Sequence, residues 1–320
     1  MRIWRSSLAF ALILLLWAGS AFAQPRAYIP SINDGTVTVM DVSDNSIIDV
    51  INTGDRPIST AVTPDGTKVY VPRNGPGRVV VIETSTNTVL TTLNVGGSPS
   101  DVAITPDGSF AYVSDFNNRV LVIDTATDMV VDTIPFNNTL TPGAILVTPD
   151  GAYAYVLITG SNQSLHRIDT ATNMIEGPAL SGFGNGLSMD VTPDGSKIYI
   201  ASRNSVNSTD TDGVQVINIA MDGTPSVGPF IVFEIGTECI SQPQDIAVHP
   251  NGAQVWVPTV PTDTQFGNCT PMDIGYFEFV TINTTTDAPG FINSVPDFLV
   301  DLALHVMEQL LSLQLLCQDR

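Results

Sequence analysis

Charge is scarce in this 320-residue chain: 14% of residues are charged, and 12 lysines and arginines face 32 aspartates and glutamates, a net charge of −20. A surface of that sign repels phosphate backbones and anionic headgroups, so nucleic acid is not expected as a partner. Cysteine is limited to Cys239, Cys269 and Cys317, and histidine to His166, His249 and His305, spaced too far apart for a shared metal site. There is no Cys-x-x-Cys-His for covalent haem and no His-rich pattern for a copper cluster. Neither a Gly-x-Ser-x-Gly elbow nor a phosphate loop occurs. Helical periodicity is missing from the body of the chain, which removes solenoids built from helix pairs.

The apolar run Leu8 to Trp17 follows Arg2 and Arg5 and ends at the small-residue site Ala21-Phe22-Ala23. Residues 1–23 therefore read as a secretory signal, too short in its apolar part for a membrane span of about 20 residues. Without them the chain starts at Gln24, with 10 basic residues against 32 acidic ones and a net charge of −22. No membrane span is expected after cleavage, and the expected location is the periplasm, the cell surface or the medium.

What the chain has in abundance is one phrase. "VTPDGTKVYV" at 62–71 returns as "ITPDGSFAYV" at 104–113, "VTPDGAYAYV" at 147–156, "VTPDGSKIYI" at 191–200 and "VHPNGAQVWV" at 248–257. The turn prolines Pro64, Pro106, Pro149, Pro193 and Pro250 are separated by 42, 43, 44 and 57 residues. A period of this size denotes a repeat architecture. Within one unit, "PSDVAI" is a short strand and "TPDG" a tight turn; "FAYVSD", "RVLVID" and "MVVDTI" are three more strands rich in β-branched residues. Four strands in about 42 residues make a propeller blade. Tyr28, Tyr70, Tyr112, Tyr155, Tyr199 and Trp256 fall at one place in successive units and are expected to pack between blades.

These residues, above all "AITPDGSFAYVSD" at 103–115 and "VIDTATDMVV" at 122–131, resemble the YVTN-type β-propeller repeat proteins over about residues 27–292. The resemblance implies an all-β propeller of four-stranded antiparallel blades. It also implies export, since such proteins are typically periplasmic or on the surface of bacteria and archaea. The expected propeller spans 24–300, with six blades, or seven if one unit is degenerate. Because "AYIPSI" begins in mid-blade, the missing inner strand is expected from "PDFLVDLAL" at 296–304, whose Pro296 matches Pro57, Pro99, Pro142 and Pro243. Residues 301–320 read as a Leu-rich helical tail.

Strand alternation puts the uniform "TPDG" and "TATD" turns on one face. The longer, variable connections at 73–77, 158–164, 203–213 and 260–275 fall on the other, where binding is expected. Arg56, Arg73 and Arg203 map to that face with Asp115 near its rim, while Asp101 and Asp245, each five residues before a turn proline, line the channel mouth. These six are the candidate ligand-binding residues; no catalytic and no metal-binding set is assigned. An exposed aromatic patch around Phe116, Phe183 and Phe266 is expected beside them. Cys239 and Cys269 emerge on the same face and are expected to form a disulfide in an oxidising compartment. "STDTDG" at 208–213 has calcium-loop spacing but Ile219 where the distal Glu belongs, so calcium stays a weak possibility and no cofactor is assigned. Two functions from different classes follow: a non-enzymatic scaffold for a protein, glycan or cell-envelope partner, or a lactonase-like hydrolase with its pocket at the channel mouth. A subunit supporting an electron-transfer partner ranks last, since the chain itself binds no redox cofactor.

Overall fold

The computed structural model describes residues 26–160, 163–203, 212–232, 234–235, 239–243, 245–262 and 278–292. They form six antiparallel sheets in chain order and, among the described residues, no helix. Blade one has Arg26–Ser31, Thr36–Asp41 and Ile47–Asn52; blade two Ala61–Val62, Lys68–Arg73, Arg78–Glu83 and Thr88–Asn94. Blade three has Pro99–Ile104, Phe110–Asp115, Arg119–Asp124 and Met129–Pro135; blade four Thr141–Val147, Tyr153–Thr159, Ser164–Asp169 and Met174–Leu180. Blade five has Asn185–Val191, Lys197–Arg203, Gly213–Ile219 and Pro225–Val232. In blade six the inner strand is split into Cys239–Pro243 and Ala247–Val248, followed by Gln254–Thr262, Glu278–Asn283 and Ala288–Ile292; a short Glu234–Ile235 pairs with the first piece. Each strand pairs with the next within its blade, and inner strands of neighbouring blades pack on one another. The described residues form six blades of a β-propeller. The strand expected at 296–304 and the helix expected at 301–320 lie outside the described residues.

Local chemistry sets each hairpin. In blade two the Thr63 hydroxyl donates to Asp65 Oδ1 (2.5 Å), the Thr67 amide donates to the same oxygen (3.0 Å), and Gly66 takes φ +70°. The pattern recurs at Thr105, Asp107 and Gly108, at Thr148, Asp150 and Gly151, and at Thr192, Asp194 and Gly195. Hydrogen bonds from the threonine hydroxyls, and then from following amides, hold these four carboxyls below their ordinary range. In blade six His249, Asn251 and Gly252 take over the same turn.

The middle strands are apolar on both faces because both are covered. In "VVVI", Val80 and Ile82 pack on blade one with Tyr28 and Val37, while Val79 and Val81 pack on blade three with Val102 and Val113. The period-two alternation of a strand thus addresses two neighbours instead of core and solvent. The tyrosine row is buried as expected: Tyr70, Tyr112, Tyr155 and Tyr199 are fully covered and Tyr28 nearly so. Each hydroxyl reaches the outer turn of the next blade: Tyr28 bonds Asn87 (3.4 Å), Tyr70 bonds Asp128, Tyr112 bonds Asn173 (2.6 Å), Tyr155 bonds the Gly223 carbonyl and Tyr199 bonds Asp287 (2.7 Å). All five acceptors have left-handed φ, between +52° and +73°, a conformation that Asn, Asp and Gly tolerate. Burial raises the hydroxyl pKa of Tyr112 to about 12 and also raises those of Tyr70, Tyr155 and Tyr199, so these four rings stay neutral donors.

Candidate functional site

The position five residues before the turn proline is occupied, blade by blade, by Ser59, Asp101, Ala144, Ser188 and Asp245. Two Ser–Asp pairs on adjacent blades result. The Ser59 hydroxyl donates to Asp101 Oδ1 (2.6 Å), and the Ser188 hydroxyl donates to Asp245. Asp101 also accepts the amides of Val102 (2.8 Å, Oδ1) and, across the blade boundary, Ile145 (2.9 Å, Oδ2). Its oxygens therefore join blades two, three and four. Sequence reasoning missed Asp190, which sits three residues before Pro193 where the other units carry Ala61, Ala103, Leu146 and Ala247. An aspartate at an otherwise apolar inner position was the available signal. Asp190 accepts the amides of Val191 and, from blade six, Val248, both at 2.8 Å. Asp245 is exposed and accepts only the Ile246 amide (2.8 Å) besides Ser188.

Desolvation raises the carboxyls of Asp101 and Asp190 above their ordinary 3.8, and the nearby charge of Asp245 adds to both shifts. A carboxyl whose folded-state pKa is raised takes up a proton on folding, so stability increases as pH falls from neutrality toward 3.8. The turn carboxyls of Asp65, Asp107, Asp150 and Asp194 are shifted the other way. Their contribution is present above 3.8 and is lost as pH falls through their folded values. Urea midpoints taken downward from pH 7 are therefore expected to rise, reach a maximum on the acid side and then fall. Asp101→Asn, which keeps an acceptor for the Ile145 amide and removes the titration, is expected to flatten part of the rise; an unchanged rise would assign it to Asp190 or to general relief of the net charge.

On the loop face, Asp115 ends the second strand of blade three with no exposed surface. Its Oδ1 accepts the amides of Ser98 (2.8 Å) and Asn117 (2.9 Å), and its Oδ2 pairs with Arg119 Nε at 2.9 Å. Asp115 is thus committed to the scaffold and offers a ligand no open oxygen. Arg73, at the equivalent place in blade two, is 7% exposed and donates from Nε to the Asp55 carbonyl (3.0 Å). Burial lowers its pKa and neighbouring Arg78 lowers it further, while the charge of Asp55 acts the other way. Arg56 is exposed in the preceding crossover at φ +59°. Arg203 pairs with Asn185 through the backbone, and its side chain lies outside the description, as do the Cys239 side chain, Cys269, Phe266 and the "STDTDG" segment as far as residue 211. The structure thus groups Arg56 with Arg73, and separately Asp101 with Asp245 through the field they share; Arg78 was missed in the sequence.

Of the expected aromatic patch, Phe116 is exposed and Phe183 packs against the core between blades four and five, while Phe266 lies outside the described residues. Apolar exposure falls instead on outer strands, at Ile47 (64%), Met129 (65%) and Met174 (65%). On the turn face a polar groove lined by Thr192, Asp194, Lys197, Asn251 and Thr284 separates blades five and six, and its cation is already held by Asp287 (2.8 Å). Among the described residues no group of three or more His, Cys, Asp or Glu is arranged to hold a metal ion.

No protein-family model and no curated protein matches the chain. Solved structures do. Hydrazine synthase from Kuenenia stuttgartiensis is similar at TM-score 0.64 and 19% identity, covering 85% of this chain and 93% of that one. A functionally unknown protein from Desulfotomaculum acetoxidans matches at 0.66 and 18%, covering 84% and 78%. A candidate 6-phosphogluconolactonase from Bacteroides uniformis matches at 0.64 and 15%, covering 84% and 80%. At these identities the likeness establishes the architecture alone, and one architecture hosts many activities: what this chain shares with all three is the fold of a β-propeller.

Proposed function

We propose that the protein is an exported, non-enzymatic binding scaffold that presents the variable loops of one propeller face to a protein, glycan or cell-envelope partner. The observation that carries this reading is the use of the buried carboxylates. Asp101 and Asp190 spend their oxygens on amides of their own and neighbouring strands, and Asp115 on amides of its crossover and loop and on Arg119, so none stands free as an acid or base. Export is supported by the arginine-flanked apolar start and its Ala21-Phe22-Ala23 site, and by the resemblance to exported YVTN-type repeat proteins. Oxidation of Cys239 with Cys269 belongs to the same proposal and is read by thiol labelling with and without reductant.

A second reading, lactone hydrolysis at the channel mouth, has one specific support. Asp245 is exposed, holds the Ser188 hydroxyl and stands in a common field with Asp101 and Asp190, and a candidate lactonase shares the fold. Incubation of the purified protein with 6-phosphogluconolactone separates the two. The scaffold reading expects hydrolysis at the buffer rate for wild type and Asp245→Asn alike. Turnover above buffer that drops by about 100-fold or more in Asp245→Asn, the scale of a lost general base, would replace it.

A further inference from the structure

We infer that blade two carries a built site for a carboxylate-bearing small molecule, formed by Arg73, Arg78 and Arg56 on the loop face. The inference rests on the reading of that face as the binding face and names what one part of it binds.

An internal comparison supports it. The residue three after the aromatic anchor is Ser31, Arg73, Asp115, Ile158, Ser202 or Thr259 in the six blades, and all six are buried, at 7% exposure or less. In blade three that residue, Asp115, faces Arg119 across the hairpin and the two form an ion pair. In blade two the facing pair is Arg73 and Arg78. The cation is kept while the anion is replaced by a second cation, and like charges directly opposite on a sheet are destabilising. None of the four ion pairs among the described residues includes Arg56, Arg73 or Arg78. Asp55 meets Arg73 through its carbonyl, and its charge acts on the guanidinium from beyond ion-pair distance.

The guanidinium of Arg73 is also held in place. An added Cβ at Gly54 would lie 2.5 Å from its Nη2, 2.8 Å from Cζ and 3.0 Å from Nη1, so the group lies flat against a glycine whose φ of +83° suits no side chain. Nε is occupied by the Asp55 carbonyl, and the two terminal nitrogens make no hydrogen bond to any described residue. A fixed guanidinium whose two terminal nitrogens are unbonded matches the two oxygens of a planar carboxylate. Arg56 lies beside it in the crossover: its carbonyl accepts the Asn74 amide (3.0 Å), and its Cδ is 3.5 Å from the Cβ position of Gly75 in the 73–77 loop. Three unpaired arginines out of 12 basic residues, gathered on a protein of charge −20, are an investment that solubility does not require.

Calorimetric titration of the purified protein at low ionic strength with galacturonate, galactose and inorganic phosphate tests the site. Galacturonate is expected to bind and neutral galactose not. Arg78→Gln, at an exposed position that the fold tolerates, is expected to weaken galacturonate about tenfold. Arg73→Asp is expected to abolish binding while raising the melting temperature, because it recreates with Arg78 the pair seen in blade three. Galacturonate binding that is equal in wild type and both variants, or absent from wild type, overturns the inference. Phosphate binding at equal or higher affinity with the same dependence on Arg73 overturns the assignment to carboxylate. Loss of the site leaves the scaffold reading standing, since that is judged on lactone turnover.

Discussion

Asp115→Ala is expected to be among the most destabilising single substitutions in the propeller, at about 3 to 5 kcal/mol, the cost of removing one partner from a buried ion pair. The carboxylate has no exposed surface, so its removal strands two backbone amides, Ser98 and Asn117, away from water. Arg119 moderates the loss. Its side chain is 27% exposed, and its Nη2 keeps the carbonyls of Val95 (2.9 Å) and Gly96 (3.1 Å). The lower end of the range is therefore expected, with Asp115→Asn nearer to about 1 to 2 kcal/mol because an amide oxygen still accepts an N–H. Removing Arg119 as well is expected to restore part of the loss, since the cation then has no buried partner to miss. Urea unfolding of the four proteins of that cycle measures it. A single-mutant loss below about 1 kcal/mol would mean that water replaces the carboxylate.

That outcome bears on how far the sequence could be read. The blade count, the turn chemistry and the buried tyrosine row are local properties, set by proline, aspartate and glycine at fixed offsets and by β-branched runs, and they recur in blades two to five, whereas blade six changes the turn and leaves Trp256 only half-buried. The alternation of "AYVSD" correctly brings Asp115 to the end of its strand near the loop face. It does not reveal that the carboxylate turns back onto the amides of its own crossover and loop, because this depends on how Ser98 and Asn117 are offered to it. Asp101 and Asp245 were legible as a matched pair by their common distance from a turn proline. Their different fates were not, since Asp101 is capped by the Ile145 amide of the next blade and the offset between blades leaves no trace in either strand. The replacement of an anion by Arg73 is visible in an alignment of the repeats against themselves, but its meaning needs the facing residue, Arg78, and therefore the register.

The other large expected effect concerns the contacts that hold blades together, and the repeats already contain its controls. Asp128 in the outer turn of blade three accepts both the Tyr70 hydroxyl and the Lys68 ammonium (2.8 Å) of blade two. Asp287 does the same for Tyr199 and Lys197 at the boundary between blades five and six. Where the second strand starts with Phe110 or Tyr153 instead of lysine, the turn of the following blade carries Asn173 or Gly223. At these four boundaries anion and lysine thus come and go together, while at the first Arg26 reaches the Thr84 carbonyl (2.9 Å) beside the neutral Asn87; the tyrosine hydroxyl is served at all five. Asp128→Ala is expected to cost about 2 to 3 kcal/mol for the two lost bonds, one of them charged. It costs about 1 kcal/mol more because alanine must adopt the φ of +53° that aspartate tolerates. Asp128→Asn, the residue that serves Tyr112 from the next blade, keeps the turn and the hydroxyl bond, so about 1 kcal/mol is expected. In Lys68→Met the cation is already gone, and there Asp128→Asn should cost almost nothing, because only the charge distinguishes the two side chains at this boundary. Denaturant midpoints for these variants decide it: an Asn substitution as costly as Ala would show that the ion pair, and not the tyrosine, locks blade two to blade three.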